Sequence, residues 1–400
     1  MVSDPMEAFT SGRERGSASV RACDVPRQLD ASDRTRLDAP PHTLSIAPSP
    51  MTSPLSRTIQ ITRLGPPEVL VERRVPLKEL GPGDVHLKVR AAGVNFADLI
   101  QRMGLYGTVP PRPYSPGFEV AGDVVTVGSA VSDWSAGDRA AALLRFGGYA
   151  SDVVVPAQNL FRYPESLTPV EAAAVPVAFL TAWVALFEAA RARAGETVLV
   201  LGAAGGVGTA AVQLARQKGL RVVGTAGTAA KCAFVVDRLG AQACFGSRGD
   251  WESEVRALVG GRGIDVALDP VGGPATAACR RLLAPLGRLV FYGMSDAVPG
   301  ERRSWIRAGW TWLRTMKLHP LSLVEANLGI FGIHLLHLAQ KEALLRPALA
   351  EIFRGVAAHD WRPVVDHVFP LTRDGAVAAH HYLHDRKVIG KVVLADPAGI

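Results

Sequence analysis

Cysteine is scarce and scattered: the 400-residue chain has four, Cys23, Cys232, Cys244 and Cys279, with no Cys-x-x-Cys pair. That spacing excludes a disulfide framework and a cysteine-rich zinc lobe, and it fits a reducing, cytoplasmic setting. Long apolar runs are missing too. No stretch joins eighteen or more apolar residues without charge, and the first residues lack the apolar centre of a secretion signal, so the chain is expected to be soluble. Nor is one sign of charge dominant. A net +7 over this length demands no nucleic acid and fits an arginine-bearing tail or anion-binding surfaces.

A chain this long and this apolar exceeds one ordinary core and is expected to divide into about two domains. Residues 1–56 are rich in Ser, Pro, Asp and Arg without helix or strand periodicity, the composition of a disordered tail. Met51 precedes the first patterned strand, Thr58-Ile59-Gln60-Ile61-Thr62, and is a candidate natural start. Residues 57–181 carry short runs such as Val85-His86-Leu87-Lys88-Val89, cut by Gly-Pro, Gly-Asp and Pro-Gly pairs, and predict mostly antiparallel β structure. From Thr197 apolar strands alternate with helical stretches, so residues 182–324 predict a parallel, doubly wound sheet. Residues 325–400 end in two more strand-like runs and are expected to rejoin the first domain.

The strongest chemical signal is Thr197-Val198-Leu199-Val200-Leu201-Gly202-Ala203-Ala204-Gly205-Gly206-Val207-Gly208, followed by a helical stretch without proline. A glycine string alone is weak evidence. Here an apolar strand runs in and an amphipathic helix runs out, the context in which small residues let a pyrophosphate approach the positive end of a helix. The bland alternative is a tight turn with no ligand. At the end of the next strand, where a carboxylate would bond a ribose, the chain reads Gly224-Thr225-Ala226-Gly227-Thr228-Ala229-Ala230-Lys231. Hydroxyls and an ammonium there, with no Asp or Glu, favour NADPH through Thr228 and Lys231. The bland reading of Lys231 is a solvated helix residue.

Ala92-Gly93-Val94-Asn95-Phe96-Ala97-Asp98, with Arg102, Gly104 and Tyr106, resembles the quinone oxidoreductase signature. Pro116 to Gly122, Ala136 to Arg139, Gly147 to Ala150, the glycine loop and Gly390-Lys391-Val392-Val393 are likewise similar to the zinc-free, zeta-crystallin-like branch of the medium-chain dehydrogenase/reductases. A looser likeness from Ser304 to His334 resembles the synaptic-vesicle amine-transport-protein subgroup. The resemblance implies an α/β fold, a GroES-like β-barrel catalytic domain plus a Rossmann domain, binding NADPH and acting as a homodimer. It also implies cofactor contacts at Gly205, Gly206, Val207, Gly208, Thr181, Gly293, Met294 and Arg386.

Zinc-dependent relatives place Cys where Asn95 stands and His where Phe118 stands, so no metal is expected. Without a Lewis acid, charge developing on a substrate oxygen must be met by hydrogen-bond donors, for which Asn95 and Tyr106 are the candidates. Tyr106 as a plain pocket aromatic is the alternative. Glu119 reads as a buried structural carboxylate and Asp98 as a helix-capping or hydrogen-bonding group. Two departures stand out: Ser247 replaces a tyrosine common near the adenosine end, and Gly227 replaces a phosphate-binding serine.

Residues 301–318 set Trp305, Trp310 and Trp312 among arginines. They suit either a weak peripheral membrane contact or, more plainly, a helix over the cleft or a subunit contact. The C-terminal histidines, His380 and His384 included, are expected to be core or surface residues and not ligands. Three functions fit: a reductase of quinones or α,β-unsaturated carbonyls, an enoyl-thioester reductase, and a non-catalytic NADPH-binding protein acting on membranes, partners or RNA. Fold alone cannot separate them.

Overall fold

The computed structural model describes residues 54–298, 319–338 and 341–397, with Gly300 and Gly309. The expected tail, apart from its last residues, and the tryptophan-arginine segment lie outside the described residues. The tail boundary at Ser56 needs correction, because the first strand already begins at Leu55. Leu55–Ile61 pairs antiparallel with Leu70–Pro76, and buried Ser56 donates its hydroxyl to the Asp152 carbonyl at 2.9 Å.

The barrel-like half is a seven-stranded sheet centred on Asp84–Val94. That strand alternates buried and half-buried residues before a fully buried end, as expected where one face meets a core and the far end enters the protein. It pairs antiparallel with Glu119–Val127, Asp152–Pro156 and the C-terminal strand Lys391–Ala395. The chain therefore does return to its first sheet.

The second sheet contains Thr197–Val200, Arg221–Ala226, Ala243–Gly246, Ile264–Asp269, Leu283–Phe291 and Gly329–Gly332, all parallel. Numbered along the chain, their spatial order is 3-2-1-4-5-6, the doubly wound arrangement with its switch point between the first and fourth strands. Thr197–Val200 is buried at every position, as a strand covered on both faces must be. The expected boundary at 324 is corrected here. Gly329–Gly332 is the sixth strand of this sheet, so the sheet extends through residue 332 before the chain turns back.

An apolar core links the sheets. It runs from Ala91, Ala121 and Ala141 through the helix Pro176–Trp183 to Val198 and Val200, with the helix Gly206–Gln217 packed on it. Ala178, Ala182, Ala210 and Ala211 are buried at that crossing, and their small side chains let helix and strand approach closely.

Candidate functional site

The switch point opens into a cavity of about 750 Å³. Its floor is the turn from Thr197–Val200 into the helix Gly206–Gln217, whose first-turn N–H groups have no partner within the helix. Gly205, Gly206, Val207 and Gly208 all line the cavity. A Cβ at position 208 would stand 2.3 Å from the Gly202 carbonyl oxygen and 2.7 Å from the Ala203 Cα, so only glycine closes this turn. The opposite lip is set by buried Asp269, which accepts from Val271 N–H at 2.7 Å, Gly272 N–H at 3.0 Å and the Thr276 hydroxyl at 2.6 Å. Beyond it Gly293 and Met294 line the same space, and Thr181 faces it from the helix Pro176–Trp183.

Asn95 and Tyr106 line the other end. Asn95 precedes the helix Phe96–Met103, and Asp98, in that helix's first turn, accepts the Asn95 backbone N–H at 2.9 Å. The Tyr106 ring lies between Phe118 and His334, with centroids at 6.0 and 5.2 Å. Burial, and secondarily the Asp98 charge, raises the Tyr106 pKa, so its hydroxyl stays protonated and can donate. His334 lines the cavity with a buried Nδ1 that has no hydrogen-bond partner, and its ring stacks on His337 at 4.1 Å. Burial first, then His337, lowers its pKa. Sequence reasoning did not bring His334 to Tyr106, because no local pattern joins positions 228 residues apart.

Thr228, Lys231 and Arg386 do not line this cavity, but they come together beside the end of Arg221–Ala226. The Thr228 hydroxyl accepts the Lys231 N–H at 3.3 Å, capping the helix Ala229–Ala233. The Lys231 ammonium donates to the Arg386 carbonyl at 2.6 Å, and Arg386 donates to the Ser295 carbonyl at 3.0 Å. Lys231 is thus tethered across the two halves of the molecule and is not a freely solvated residue.

Behind Asn95 lies a buried polar chain absent from the sequence reading. Arg102 is fully buried; it donates through Nε to His380 Nδ1 at 3.2 Å and through a terminal nitrogen to His384 Nε2 at 2.7 Å, and it also reaches the Gly65 carbonyl. A guanidinium only donates, so His380 Nδ1 must accept and the ring proton sits on Nε2. That Nε2 faces the Tyr149 hydroxyl at 3.3 Å, which donates to Asp98 Oδ2 at 3.2 Å. Both histidines are core residues held by arginine, as the plain reading expected.

This chain carries opposed proton linkages. Burial lifts Asp98 from its ordinary 3.8 to about 7, and it drives His380 well below the usual imidazole range. The cost of keeping Asp98 ionised is complete above pH 7. It is relieved as pH falls toward about 4, since there the folded chain takes a proton that the unfolded chain refuses. His380 acts oppositely, favouring the fold above about pH 6.5 and losing that contribution below it. Asp98→Asn removes the first linkage only. Its stability deficit relative to the parent chain is expected to widen by up to about 1.4 kcal/mol per pH unit between pH 7 and 5, read by urea melts. A constant deficit would contradict the linkage.

The zinc implied by part of this fold class does not fit. Asn95 stands at one ligand position and Phe118 at another, and a buried ammonium, that of Lys391, lies 2.7 Å from Asn95 Oδ1. No group of three or more His, Cys, Asp or Glu among the described residues could hold a metal ion. A nicotinamide dinucleotide does fit: no Asp or Glu is among the described residues lining the cavity, and a helix N-terminus opens into it.

A six-stranded 3-2-1-4-5-6 sheet with its glycine turn at the switch point, set against a barrel-like sheet built from strands on both sides of it in the sequence, defines a two-domain dehydrogenase/reductase. Family models agree: "Alcohol dehydrogenase GroES-like domain" matches residues 81–165 and "Zinc-binding dehydrogenase" residues 239–394. The rat synaptic vesicle membrane protein VAT-1 homolog is 38% identical over 315 residues, 78% of this chain and 77% of its own. Pig quinone oxidoreductase is 31% identical over 343 residues, 85% and 98% respectively. A mycobacterial protein solved in complex with NADPH superposes with a TM-score of 0.74 at 30% identity, covering 85% of this chain and 99% of that one. The chain belongs to the medium-chain dehydrogenase/reductase family, near the VAT-1 homologs and quinone oxidoreductases.

Proposed function

We propose that the chain is an NADPH-dependent, zinc-free reductase of quinones or α,β-unsaturated carbonyl compounds. The observation that carries this reading is that one cavity is lined both by the glycine turn and by Asn95 and Tyr106. Gly205 to Gly208 would hold the pyrophosphate, Thr181, Gly293 and Met294 the nicotinamide half, and Thr228, Lys231 and Arg386 the 2′-phosphate end. When bound, the cofactor supplies a hydride to an electron-poor carbon. The Asn95 amide and the Tyr106 hydroxyl donate to the substrate oxygen on which charge develops, and Tyr106 or solvent delivers the proton. Phe96, Ile100, Phe118 and Ile333 line the walls, and this apolar surface limits water around those donors.

The test is oxidation of NADPH and of NADH by the purified chain against quinones, alkenals and enoyl thioesters. Turnover with NADPH and a quinone or enone supports the reading. Turnover with thioesters alone would move it to the enoyl-reductase reading, and NADPH binding without turnover to the non-catalytic one. Tyr106→Phe is expected to lower kcat about 100-fold while NADPH affinity holds. Unchanged turnover would leave Tyr106 a pocket wall.

We place the protein in the cytoplasm. No helix among the described residues is long and apolar enough to cross a membrane. A homodimer belongs to the same reading: Gly329–Gly332 is an edge strand, its Phe331 is 41% exposed, and Leu321 and Val324 nearby are exposed. Light scattering that gave a monomer mass would remove it.

A further inference from the structure

Three consecutive neighbours of the barrel-like sheet, Lys391–Ala395, Asp84–Val94 and Glu119–Val127, bring one buried cluster to the reacting end of the cavity. Lys391 and Glu119 are 6% and 0% exposed, and their charged atoms meet at 2.6 Å. The Lys391 ammonium also donates to the Val94 carbonyl at 3.0 Å and to Asn95 Oδ1 at 2.7 Å. Glu119 Oε1 accepts Asn95 Nδ2 at 2.9 Å, and Oε2 accepts the Val177 N–H, in the first turn of the helix Pro176–Trp183, at 2.7 Å. A Cβ on Gly93 would lie 2.4 Å from Glu119 Oε1, so the carboxylate occupies space that only glycine leaves there.

We propose that Lys391 is a positioning residue: it fixes the direction in which Asn95 presents its amide and ties that amide to the turn under the cofactor phosphates. The inference rests on the function proposed above and deepens it. An ammonium has only donors and a carboxylate only acceptors. Asn95 must therefore turn its oxygen to Lys391 and its nitrogen to Glu119, and the inverted amide would oppose both. With the oxygen held by Lys391 and one N–H given to Glu119, Asn95 retains one N–H and so acts as a donor toward the cavity. The second half of the proposal comes from the lysine stem. A Cβ built on Gly206 would stand 2.8 Å from Lys391 Cδ, and the preceding residue, Gly390, donates its N–H to the Ala204 carbonyl at 2.8 Å. Two consecutive residues thus grip the glycine turn by backbone and stem, and Asn95 by charge.

The plain alternative is an ion pair that only joins strands, and a mutant cycle separates the two. Asn95→Ala and Lys391→Met are each expected to lower kcat with NADPH and the best acceptor about 100-fold. The double variant is expected to be no worse than the lower single variant, since Lys391 acts through Asn95. Losses that multiply overturn the proposal. Lys391→Met combined with Glu119→Gln removes both buried charges; it is expected to restore the thermal midpoint lost in Lys391→Met but not kcat. Recovery of both would show a strand tie and nothing more. The same cycle read as NADPH affinity by calorimetry needs no acceptor. Failure to find any acceptor therefore sinks the proposed reaction while the affinity cycle still decides this inference, non-additive losses supporting it and additive ones overturning it. A parent chain that bound no NADPH would overturn both.

Discussion

Gly208→Ala is expected to weaken NADPH binding at least about 100-fold, roughly 2.7 kcal/mol, while the chain stays folded. The three atoms nearest to a methyl at this position are all backbone: the Gly202 carbonyl oxygen at 2.3 Å and Ala203 Cα and carbonyl carbon at 2.7 and 2.8 Å. No flexible side chain can swing away to relieve them. The turn has to open, and the N–H groups at the start of Gly206–Gln217 then no longer converge on one point. Anion binding at a helix end depends on that convergence, so the loss falls on affinity first. Isothermal titration with NADPH, alongside a circular dichroism melt, measures both quantities. Affinity within threefold of the parent chain would mean that the phosphates lie elsewhere.

Arg102→Met is expected to cost about 3–5 kcal/mol of stability, the largest single effect in the barrel-like half. Methionine fills much of the same space, so the loss is one of hydrogen bonds and charge. His380 Nδ1 and His384 Nε2 lose this donor in buried surroundings, and the half-buried Gly65 carbonyl loses it as well. A buried acceptor left unsatisfied carries a desolvation penalty of about 1–3 kcal/mol. The effect reaches the site, because the chain continues through Tyr149 to Asp98, which holds the start of the helix after Asn95. Urea denaturation gives the number. A deficit below about 1 kcal/mol would show that the histidines find other partners.

The parts of this molecule legible in its sequence are those fixed by near neighbours. Strand, glycine turn and helix from Thr197 to Gln217 lie within about twenty positions, and the place of the missing carboxylate after Arg221–Ala226 comes about ten positions later. The doubly wound sheet followed from that alternation, and the family likeness supplied the GroES-like domain, Asn95 and Tyr106. Charge partners separated by hundreds of residues left no such trace. Lys391 was visible as part of a family-like motif and as one polar position in an otherwise apolar C-terminal strand, but nothing in that strand names Asn95, 296 residues away, as its partner. Glu119 read as structural, and its bonds to the lysine and to Val177 N–H place it beside the site as well. The sixth parallel strand escaped for another reason. Gly-Ile-Phe-Gly is too short and too rich in glycine to carry a strand period, so only its pairing with Leu283–Phe291 reveals it.

The central strand of the barrel-like sheet, Asp84–Val94, takes one neighbour, Lys391–Ala395, from some three hundred residues downstream. On a ribosome the Ala91–Val94 end of that strand waits for this neighbour until residues 391–395 have emerged, whereas its Asp84–Lys88 end can pair with Asp152–Pro156 and the six parallel strands can associate earlier. Completion of the reacting end therefore follows synthesis of the parallel sheet. A nascent chain halted before Lys391 would carry an assembled nucleotide lobe beside a sheet that cannot yet close.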